Sequence, residues 1–250
     1  MSNIGSNLQE VKRRMASACT AAGRKADILT RAPAAPALAA GGAGGAPVAP
    51  LALLAVSKTF PAEAVREAHA AGQQAFGENY VQEALAKIEA LADLRQQLQW
   101  HLIGPLQSNK TRGVAEAFDW VHSVDRLKVA QRLSEQRPAT LPPLQVCLQV
   151  NIGGQASKSG FAPHEVLAAA MAVAALPQLQ LRGLMAIPEP VGDFSAQRLP
   201  HRALRELLAA VNAQGLHLDT LSMGMSADLE AAVAEGASLV RVGTAIFGRR

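Results

Sequence analysis

Residues 51–59 read LALLAVSKT, a run of six apolar residues that ends in Ser57, Lys58 and Thr59. A short apolar run bounded by polar residues is typical of a strand that is buried on both faces, as in a parallel sheet. The pattern returns seven more times along the chain. The eight predicted strands are Leu51–Val56, Gln74–Phe76, Gln99–Ile103, Trp120–His122, Leu144–Val150, Leu181–Met185, Leu218–Leu221 and Ser238–Val242.

Segments of helical period lie between these strands, and they are rich in alanine, leucine and glutamate. Strands that alternate with helices predict a parallel sheet in an α/β protein. Eight strands in a chain of this length favour a closed (β/α)8 TIM barrel over an open doubly wound sheet. The predicted helices are Pro61–Ala71, Val81–Gln97, Asp125–Gln136, Pro163–Leu176 and Gln197–Gln214.

The two ends of the chain are expected to complement each other. The sequence stops at Arg250, shortly after the eighth strand, so we expect no eighth helix. A segment near the N-terminus places apolar side chains on one helical face, and we expect it to cover the barrel at that position. These side chains are Ile4, Leu8, Val11, Met15 and Ala18. Residues 1–250 are therefore predicted to form a single domain.

The composition excludes several classes of protein. Hydrophobic residues make up 49% of the 250 residues and charged residues 18%, which excludes collagen-like and disordered chains. The net charge of +4 is dispersed and aromatic residues are few, so no nucleic-acid partner is expected. Two distant cysteines, Cys19 and Cys147, and six histidines without ligand spacing predict neither a disulfide nor a metal site.

The uncharged stretch Ala32–Pro50 contains four prolines and four glycines. So many helix breakers exclude a membrane span and predict a flexible Ala/Gly/Pro loop. Because this stretch precedes the first strand, we expect it on the face of the barrel opposite the carboxyl ends of the strands. The N-terminal region has charges with no apolar run behind them and hence no secretory signal, so we expect a cytoplasmic protein.

Polar or glycine-containing clusters follow the predicted strands at their carboxyl ends. They are Ser57–Thr59, Gly77–Tyr80, Gly104–Lys110, His122–Asp125, Asn151, Ala186–Pro188, Met223–Ser226 and Arg241–Thr244. In a TIM barrel the carboxyl ends of the strands form the rim that carries the active site. The sequence therefore predicts a ligand site at this rim.

Lys58 directly follows the first predicted strand. A lysine that is partly withdrawn from water favours its neutral amine, and a neutral amine attacks an aldehyde or ketone to form an imine. We therefore expect Lys58 to be partly withdrawn from water and to act as a nucleophile. The alternative is a rim lysine in an ion pair with Glu78 or Asp125.

The last two loops offer a partner for Lys58. Ser226 stands at the predicted N-cap of a helix, and Gly243 and Thr244 open the final turn. Loops after the seventh and eighth strands of this barrel recurrently bind phosphate through backbone N–H groups. The alternative is that Ser226 only caps its helix and Gly243 only permits a turn. Together with Lys58, the two loops favour a phosphorylated aldehyde as the ligand.

Six motifs of the chain resemble those of the pyridoxal phosphate homeostasis proteins, which bind pyridoxal 5′-phosphate (PLP). The motifs are Leu54–Thr59, Phe76–Glu83, Trp100–Lys110, Arg182–Pro188, Leu221–Ser226 and Arg241–Gly248. The resemblance implies a barrel of the alanine racemase N-terminal-domain type, with PLP held as a Schiff base on Lys58. It also implies that Ser226, Gly243 and Thr244 contact the phosphate. Arg241 would then lie beside the pyridine nitrogen, and Asn79 beside the ring.

The same resemblance implies a role in intracellular PLP (vitamin B6) homeostasis with little or no catalysis. An arginine at the pyridine nitrogen agrees with that role, because a guanidinium keeps its proton and leaves the ring a poor electron sink. Two alternatives remain open. One is a PLP-dependent racemase-like enzyme with Tyr80 or a bound water as a base. The other is a Schiff-base aldolase that acts through Lys58 on a phosphorylated sugar. We expect a monomer whose further partners are apoenzymes that receive PLP.

Overall fold

A computed structural model describes residues 3–33, 50–155 and 157–248. In these ranges the strands are β1 (Ile28–Leu29), β2 (Leu51–Val56), β3 (Ala75–Glu78), β4 (Gln99–Leu102), β5 (Trp120–Val124), β6 (Leu144–Gln149), β7 (Leu179–Met185), β8 (Thr220–Ser222) and β9 (Leu239–Val242). The α-helices are α1 (Ile4–Ala21), α2 (Ala62–Ala70), α3 (Val81–Ala90), α4 (Thr111–Ala117), α5 (Leu127–Gln136), α6 (Val166–Ala174), α7 (Phe194–Asn212), α8 (Leu229–Ala234) and α9 (Thr244–Phe247). Single-turn 3-10 helices lie at Ala92–Leu94, Ser108–Lys110 and Pro163–Glu165.

The parallel strands β2 to β9 form a closed barrel. Each strand pairs with the next in chain order, and β9 returns to pair with β2. In the closing pair Ala52 lies beside Leu239, and Ala55 lies beside Val242. The predicted (β/α)8 barrel is therefore confirmed, and each predicted strand is present with ends that differ by at most two residues.

The barrel strands are buried on both faces, as the apolar runs predict. All six residues of β2 are buried. Leu51, Leu53 and Ala55 pack with the helices in the larger apolar cluster. The alternate residues of β2 face the barrel interior, where they pack with Trp120 and Cys147. A strand with two buried faces needs an uninterrupted apolar run, which explains why β2 shows no alternation of polar residues.

Strand β1 is not predicted from the sequence, because two residues are too few to show a pattern. It pairs with the first half of β2, whereas β3 pairs with the second half. The backbone N–H groups of Gln74 and Ala75 donate to the carbonyl of Thr30, just after β1. Strand β1 therefore fills the space between β2 and β3 at the amino end of the barrel.

Helix α1 covers the barrel at the position that the sequence predicts. Its apolar face is buried and packs against α2, α8 and α9. Helix α9 is a single turn that follows β9, where the sequence predicts no helix. The Nδ2 atom of Asn7 in α1 donates to the carbonyl of Ile246 in α9 over 2.9 Å, so the first and last described helices are joined directly.

Several helices differ from the sequence prediction. Helix α7 begins at Phe194, three residues before the predicted start, and α6 begins at Val166 after the 3-10 turn Pro163–Glu165. Helix α3 ends at Ala90 instead of continuing to Gln97, because Leu91 leaves the helical conformation and buries its side chain. Helix α5 begins at Leu127 instead of Asp125. Helix α4 is missed by the prediction because its seven residues include Gly113 and show no clear apolar period.

The amino end of the barrel is closed by a buried arginine. Arg182 pairs with Asp219, with 2.8 Å between Nη2 and Oδ2, and its guanidinium lies 4.9 Å from the centre of the Trp120 ring. Its Nη1 donates to the carbonyl of Pro33. The described ends of the predicted loop, Ala32, Pro33 and Pro50, lie at this face. Residues 34–49 of that loop lie outside the described residues.

Replacing Leu8 with alanine should lower the free energy of unfolding by about 3 kcal/mol, because it opens a cavity in the fully buried face of α1. Gln9→Ala on the exposed face of α1 is the matched control and should change it by less than about 0.5 kcal/mol. Urea unfolding followed by circular dichroism measures both values. Equal effects of the two substitutions would show that α1 does not seal the barrel.

Candidate functional site

An open cavity of about 870 Å³ lies at the carboxyl ends of β2, β3, β8 and β9. Its walls include all six residues that the sequence analysis selects: Lys58, Asn79, Ser226, Arg241, Gly243 and Thr244. Tyr80, Ile103 and Ile187 complete the mouth. The cavity therefore combines a primary amine, a guanidinium, two hydroxyl groups and exposed backbone near one another.

Lys58 lies on the loop that leaves β2, and its side chain is exposed. The expectation that it is partly withdrawn from water is therefore wrong. The two carboxylates considered as its ion-pair partners are engaged elsewhere. Glu78 pairs with Lys87 and Asp125 pairs with Arg126, with closest N–O distances of 2.8 and 2.6 Å. Lys58 also lines the cavity, so a ligand that enters would meet this residue.

The residue after Lys58 has a strained backbone. Thr59 adopts a φ of +70°, a conformation that costs a residue with a side chain about 1–2 kcal/mol. Its backbone N–H donates to Oε1 of Glu83 in α3, which holds the turn in place. The same carboxylate oxygen accepts from Nζ of Lys87 over 2.6 Å. The turn that carries Lys58 is therefore anchored to α3.

A buried ion pair lies beneath this turn. Nζ of Lys87 donates to Oε1 of Glu78 over 2.8 Å and to the carbonyl of Ser57 over 2.7 Å. The hydroxyl of Ser57 donates to the same Glu78 oxygen over 2.7 Å. Burial raises the pKa of Glu78, while Lys87 and Ser57 act in the opposite direction. The network ties the ends of β2 and β3 together on the Lys58 side of the cavity.

Sequence reasoning missed the role of Lys87. The only signal is the spacing of Glu83 and Lys87, which are four residues apart on one helical face. That spacing is common on exposed helices, so it does not predict that Lys87 reaches a buried carboxylate on β3.

Arg241 lies on β9 at the inner wall of the cavity and is almost fully buried. Its Nη1 donates to the carbonyl and the hydroxyl of Ser222 over 2.6 and 2.8 Å. Its Nη2 donates to the carbonyl of Ala186 over 2.9 Å. Burial lowers the pKa of Arg241 to about 10, so its guanidinium stays charged at neutral pH. The site therefore holds a fixed cation that presents only hydrogen-bond donors.

Ser226 lies on the loop between β8 and α8, and the prediction that it caps α8 is wrong. Asp228 occupies the N-cap position, although its side chain makes no capping hydrogen bond to the helix. Its Oδ1 accepts instead from the backbone N–H of Met225, in the preceding loop, over 2.7 Å. The loop turns at Gly224, where φ is +92° and a Cβ would lie 2.5 Å from the Cβ of Ala232. Ser226 is thus left at the cavity wall, next to Gly243 and Thr244 on the neighbouring loop.

Asn79 forms the opposite wall. The loop after β4 approaches its backbone so closely that a Cβ on Gly104 would lie 2.2 Å from the Asn79 carbonyl oxygen. Only glycine permits this approach. Among the described residues the buried Oδ1 of Asn79 has no hydrogen-bond partner. An unsatisfied buried polar atom at a cavity wall is a feature of a ligand site.

A second cavity of about 470 Å³ adjoins the first one over the ends of β4, β6 and β7. The two cavities share Asn79, Ile103 and Ile187 as a common wall. Lys158 and Asn151 line the second cavity. The carboxyl face of the barrel therefore offers more room than the first cavity alone.

The residues present fit a small ligand that carries both an aldehyde and an anionic group. The Lys58 amine can condense with the aldehyde, and the hydroxyls of Ser226 and Thr244 can donate to the anion. Arg241 can donate to a ring nitrogen that lacks a proton. No group of three or more metal-ligating side chains occurs in the described ranges. Nor does any helix there combine the length and apolar character that a membrane span requires.

The chain matches the family described as "Alanine racemase, N-terminal domain" over residues 48–250. It is similar to a pyridoxal phosphate homeostasis protein of Pseudomonas aeruginosa, with 59% identity over 250 residues that cover 100% of this chain and 97% of that protein. A pyridoxal phosphate homeostasis protein of Escherichia coli strain K12 is 48% identical, with coverage of 100% and 98%. Among solved structures, PipY of Synechococcus elongatus with PLP bound aligns with a TM-score of 0.73 and 44% identity, covering 79% of this chain and 92% of that one.

Replacing Lys87 with methionine should lower the free energy of unfolding by about 3–5 kcal/mol, because Glu78 is then buried without a cation. The double variant Glu78→Gln/Lys87→Met should recover part of this loss, since a neutral amide needs no counter-charge. Lys128→Met, on the exposed face of α5, removes the same charge and serves as the control. Urea unfolding of the three variants tests the assignment. Similar stabilities of the Lys87→Met and Lys128→Met variants would contradict it.

Proposed function

The chain belongs to the family of pyridoxal phosphate homeostasis proteins, and we propose that it holds PLP covalently through Lys58 and serves the supply of this cofactor with little catalysis of its own. The observation that carries the proposal is the presence of all six candidate residues on one cavity. The 59% identity to a protein named for PLP homeostasis supports the same function. The relative whose structure contains PLP supports the choice of cofactor.

Each part of the cofactor has a counterpart in the cavity. When bound, PLP supplies an aldehyde that condenses reversibly with a primary amine. Lys58 is the exposed amine in the cavity and takes this position. Ser226, Gly243 and Thr244 bind the phosphate through two hydroxyls and backbone N–H groups. Asn79 lies beside the ring and directs its amide toward the ring substituents.

Arg241 supports a carrier more than an enzyme. Its guanidinium stays charged and offers only N–H donors, so it stabilises a pyridine nitrogen that has no proton. An unprotonated ring is a weak electron sink, and carbanion chemistry on the cofactor is then disfavoured. The hydrogen bonds from Arg241 to the carbonyls of Ser222 and Ala186 hold the cation in this position.

The two alternatives have less support. A racemase needs a positioned base, and Tyr80 is 55% exposed at the mouth of the cavity, in contact with bulk water. An aldolase would share the Lys58 chemistry, but the two relatives that match this chain over its full length are named for PLP homeostasis.

Transfer of PLP to other proteins is part of the proposal. The open mouth of the cavity is bordered by the exposed side chains of Tyr80 and Ile187. Apolar groups at the rim of a site are suited to a transient contact with another protein. We propose that cytoplasmic apoenzymes receive the cofactor here and that the chain acts as a monomer.

Borohydride reduction of the PLP-loaded protein should fix a pyridoxyl group on the peptide that contains Lys58. Peptide mass spectrometry locates the label, and the visible absorbance of the protein should disappear on reduction. Lys58→Ala should lose both signals and keep its fold, because an exposed rim lysine contributes little to packing. Lys158→Ala, at the adjoining cavity, is the matched control and should keep the label. Labelling confined to Lys110 or Lys158 would refute the assignment.

Ser226→Ala should weaken PLP binding by about ten- to a hundredfold, because it removes a hydrogen bond to a charged group worth about 1.5–3 kcal/mol. Binding of unphosphorylated pyridoxal should change far less, since this ligand lacks the phosphate. Ser159→Ala, at the neighbouring cavity, provides the control. Absorbance titrations with both ligands measure the affinities. An equal loss for PLP and pyridoxal would place the phosphate elsewhere.

A further inference from the structure

A chain of buried hydrogen-bonding groups runs through the interior of the barrel below Arg241. Nδ1 of His122 lies 2.7 Å from the hydroxyl oxygen of Ser222, and this oxygen accepts a hydrogen bond from Arg241. Nε2 of His122 lies 2.9 Å from Nδ1 of His101. Nε2 of His101 lies 3.0 Å from Oε1 of Gln99. The two imidazoles have no exposed surface, so the chain is closed to solvent along its length.

The direction of the hydrogen bonds is fixed at the end of the chain farthest from Arg241, where Gln99 bonds to the backbone of Ala32. The backbone N–H of Ala32 donates to Oε1 of Gln99 over 2.9 Å, and Nε2 of Gln99 donates to the carbonyl of Ala32 over 3.2 Å. A backbone N–H can only donate and a carbonyl can only accept, so the Gln99 amide has one orientation. Its oxygen therefore faces His101 and can only accept from it.

The Gln99 end sets the direction of the remaining hydrogen bonds. His101 donates from Nε2 to Gln99, so in its neutral form Nδ1 is an acceptor and receives the proton of His122 Nε2. Nδ1 of His122 is then an acceptor as well, and the Ser222 hydroxyl donates to it. The Ser222 oxygen accepts from Arg241, which has only donors, and this agrees with the same direction. The chain thus requires one pair of tautomers, with both histidines neutral and protonated on Nε2.

Neither histidine can be charged in this arrangement, because each uses one ring nitrogen as an acceptor. Burial agrees with that requirement. It lowers the pKa of His101 well below its ordinary value, and burial together with the nearby Arg241 lowers the pKa of His122 to about 3. Each hydrogen bond of the chain therefore keeps the same donor and the same acceptor at every pH at which the protein is folded and both histidines are neutral.

We infer that His122 and His101 are positioning residues that orient the Ser222 hydroxyl toward Arg241 and so hold the guanidinium in the cofactor cavity. This inference rests on the proposed function, because it assigns Arg241 to the ring of PLP. A hydroxyl that donates to His122 is a stronger acceptor for Arg241, since successive hydrogen bonds polarise one another. Loss of His122 would let the hydroxyl turn, and the guanidinium would lose one of its fixed acceptors.

The first test uses the PLP-free protein and does not depend on cofactor binding. Nitrogen-15 NMR of the imidazole rings should find His101 and His122 neutral, both with the proton on Nε2. Loss of signals in His101→Gln and His122→Asn identifies the two rings among the six histidines. A proton on Nδ1 of either ring, or a ring that titrates between about pH 6 and 8 as free histidine does, would overturn the inference.

The second test reads the effect on the cofactor. His122→Phe should shift the visible absorption band of bound PLP and weaken its binding about three- to tenfold, in line with the loss of one hydrogen bond. His122→Asn keeps an acceptor near Ser222 and should restore both properties in part. Cys147→Ala makes a cavity in the same barrel interior without removing any hydrogen bond of the chain, and it should leave the band unchanged.

The two tests separate this inference from the proposed function. If the unaltered protein takes no label on Lys58, the proposed function fails, while the NMR result still decides the tautomers. If PLP labels Lys58 but His122→Phe and Ser222→Ala behave like Cys147→Ala, the positioning role fails and the carrier function stands. If His122→Phe does not fold, Ser222→Ala replaces it in the second test, because this substitution removes the hydroxyl alone.

Discussion

A buried guanidinium is stable inside a barrel only if the surrounding oxygens accept hydrogen bonds from its N–H groups, and the cavity is built around this constraint. Arg241 on β9 uses the carbonyl of Ser222 on β8 and that of Ala186 just after β7. The carbonyl of Ser222 also accepts from the backbone N–H of Ala186 over 3.3 Å, so Arg241 uses the second lone pair of an oxygen in the sheet ladder. The charge of Arg241 therefore depends on the relative positions of three strand ends. Any shift between these strands would leave a buried cation without partners, which is costly.

The opposite side of the cavity depends on a second buried charge pair, Glu78 and Lys87. Barrel closure brings the two sides together, because the pairing of β2 with β9 puts Leu54 beside Arg241. Lys58 follows β2 by two positions, so Lys58 and Arg241 line the same cavity although they are far apart in sequence. The cavity is thus a property of the closed barrel and does not exist on either half of it.

The sequence was sufficient to predict the features of the fold that depend on long apolar patterns. The run Leu51–Val56 predicts a buried strand, and the amphipathic spacing of α1 predicts a cover for the barrel. The six cavity residues could be selected because they follow strand ends. Two kinds of feature could not be predicted from the sequence: which of two polar residues occupies a helix N-cap, and which side chains meet when a helix packs on a strand. Asp228 displaces Ser226 as the cap of α8, and Lys87 finds its partner only once α3 lies against β3. The tautomers of His101 likewise depend on a neighbour in a different strand.

The pairing of β2 with β9 and the packing of α1 on α8 and α9 have a consequence for synthesis on the ribosome. Helix α1 is translated well before α8 and α9, which are two of the three helices that cover its apolar face. Until β9 emerges, the nascent chain has an open sheet edge on β2 and an unpaired helix face, both of which attract other chains. Arg241 and Thr244, two of the residues proposed to hold PLP, also arrive in this segment, so the proposed site is complete only after β9 has been translated. A nascent chain stalled before β9 thus lacks part of the proposed site and is prone to aggregate.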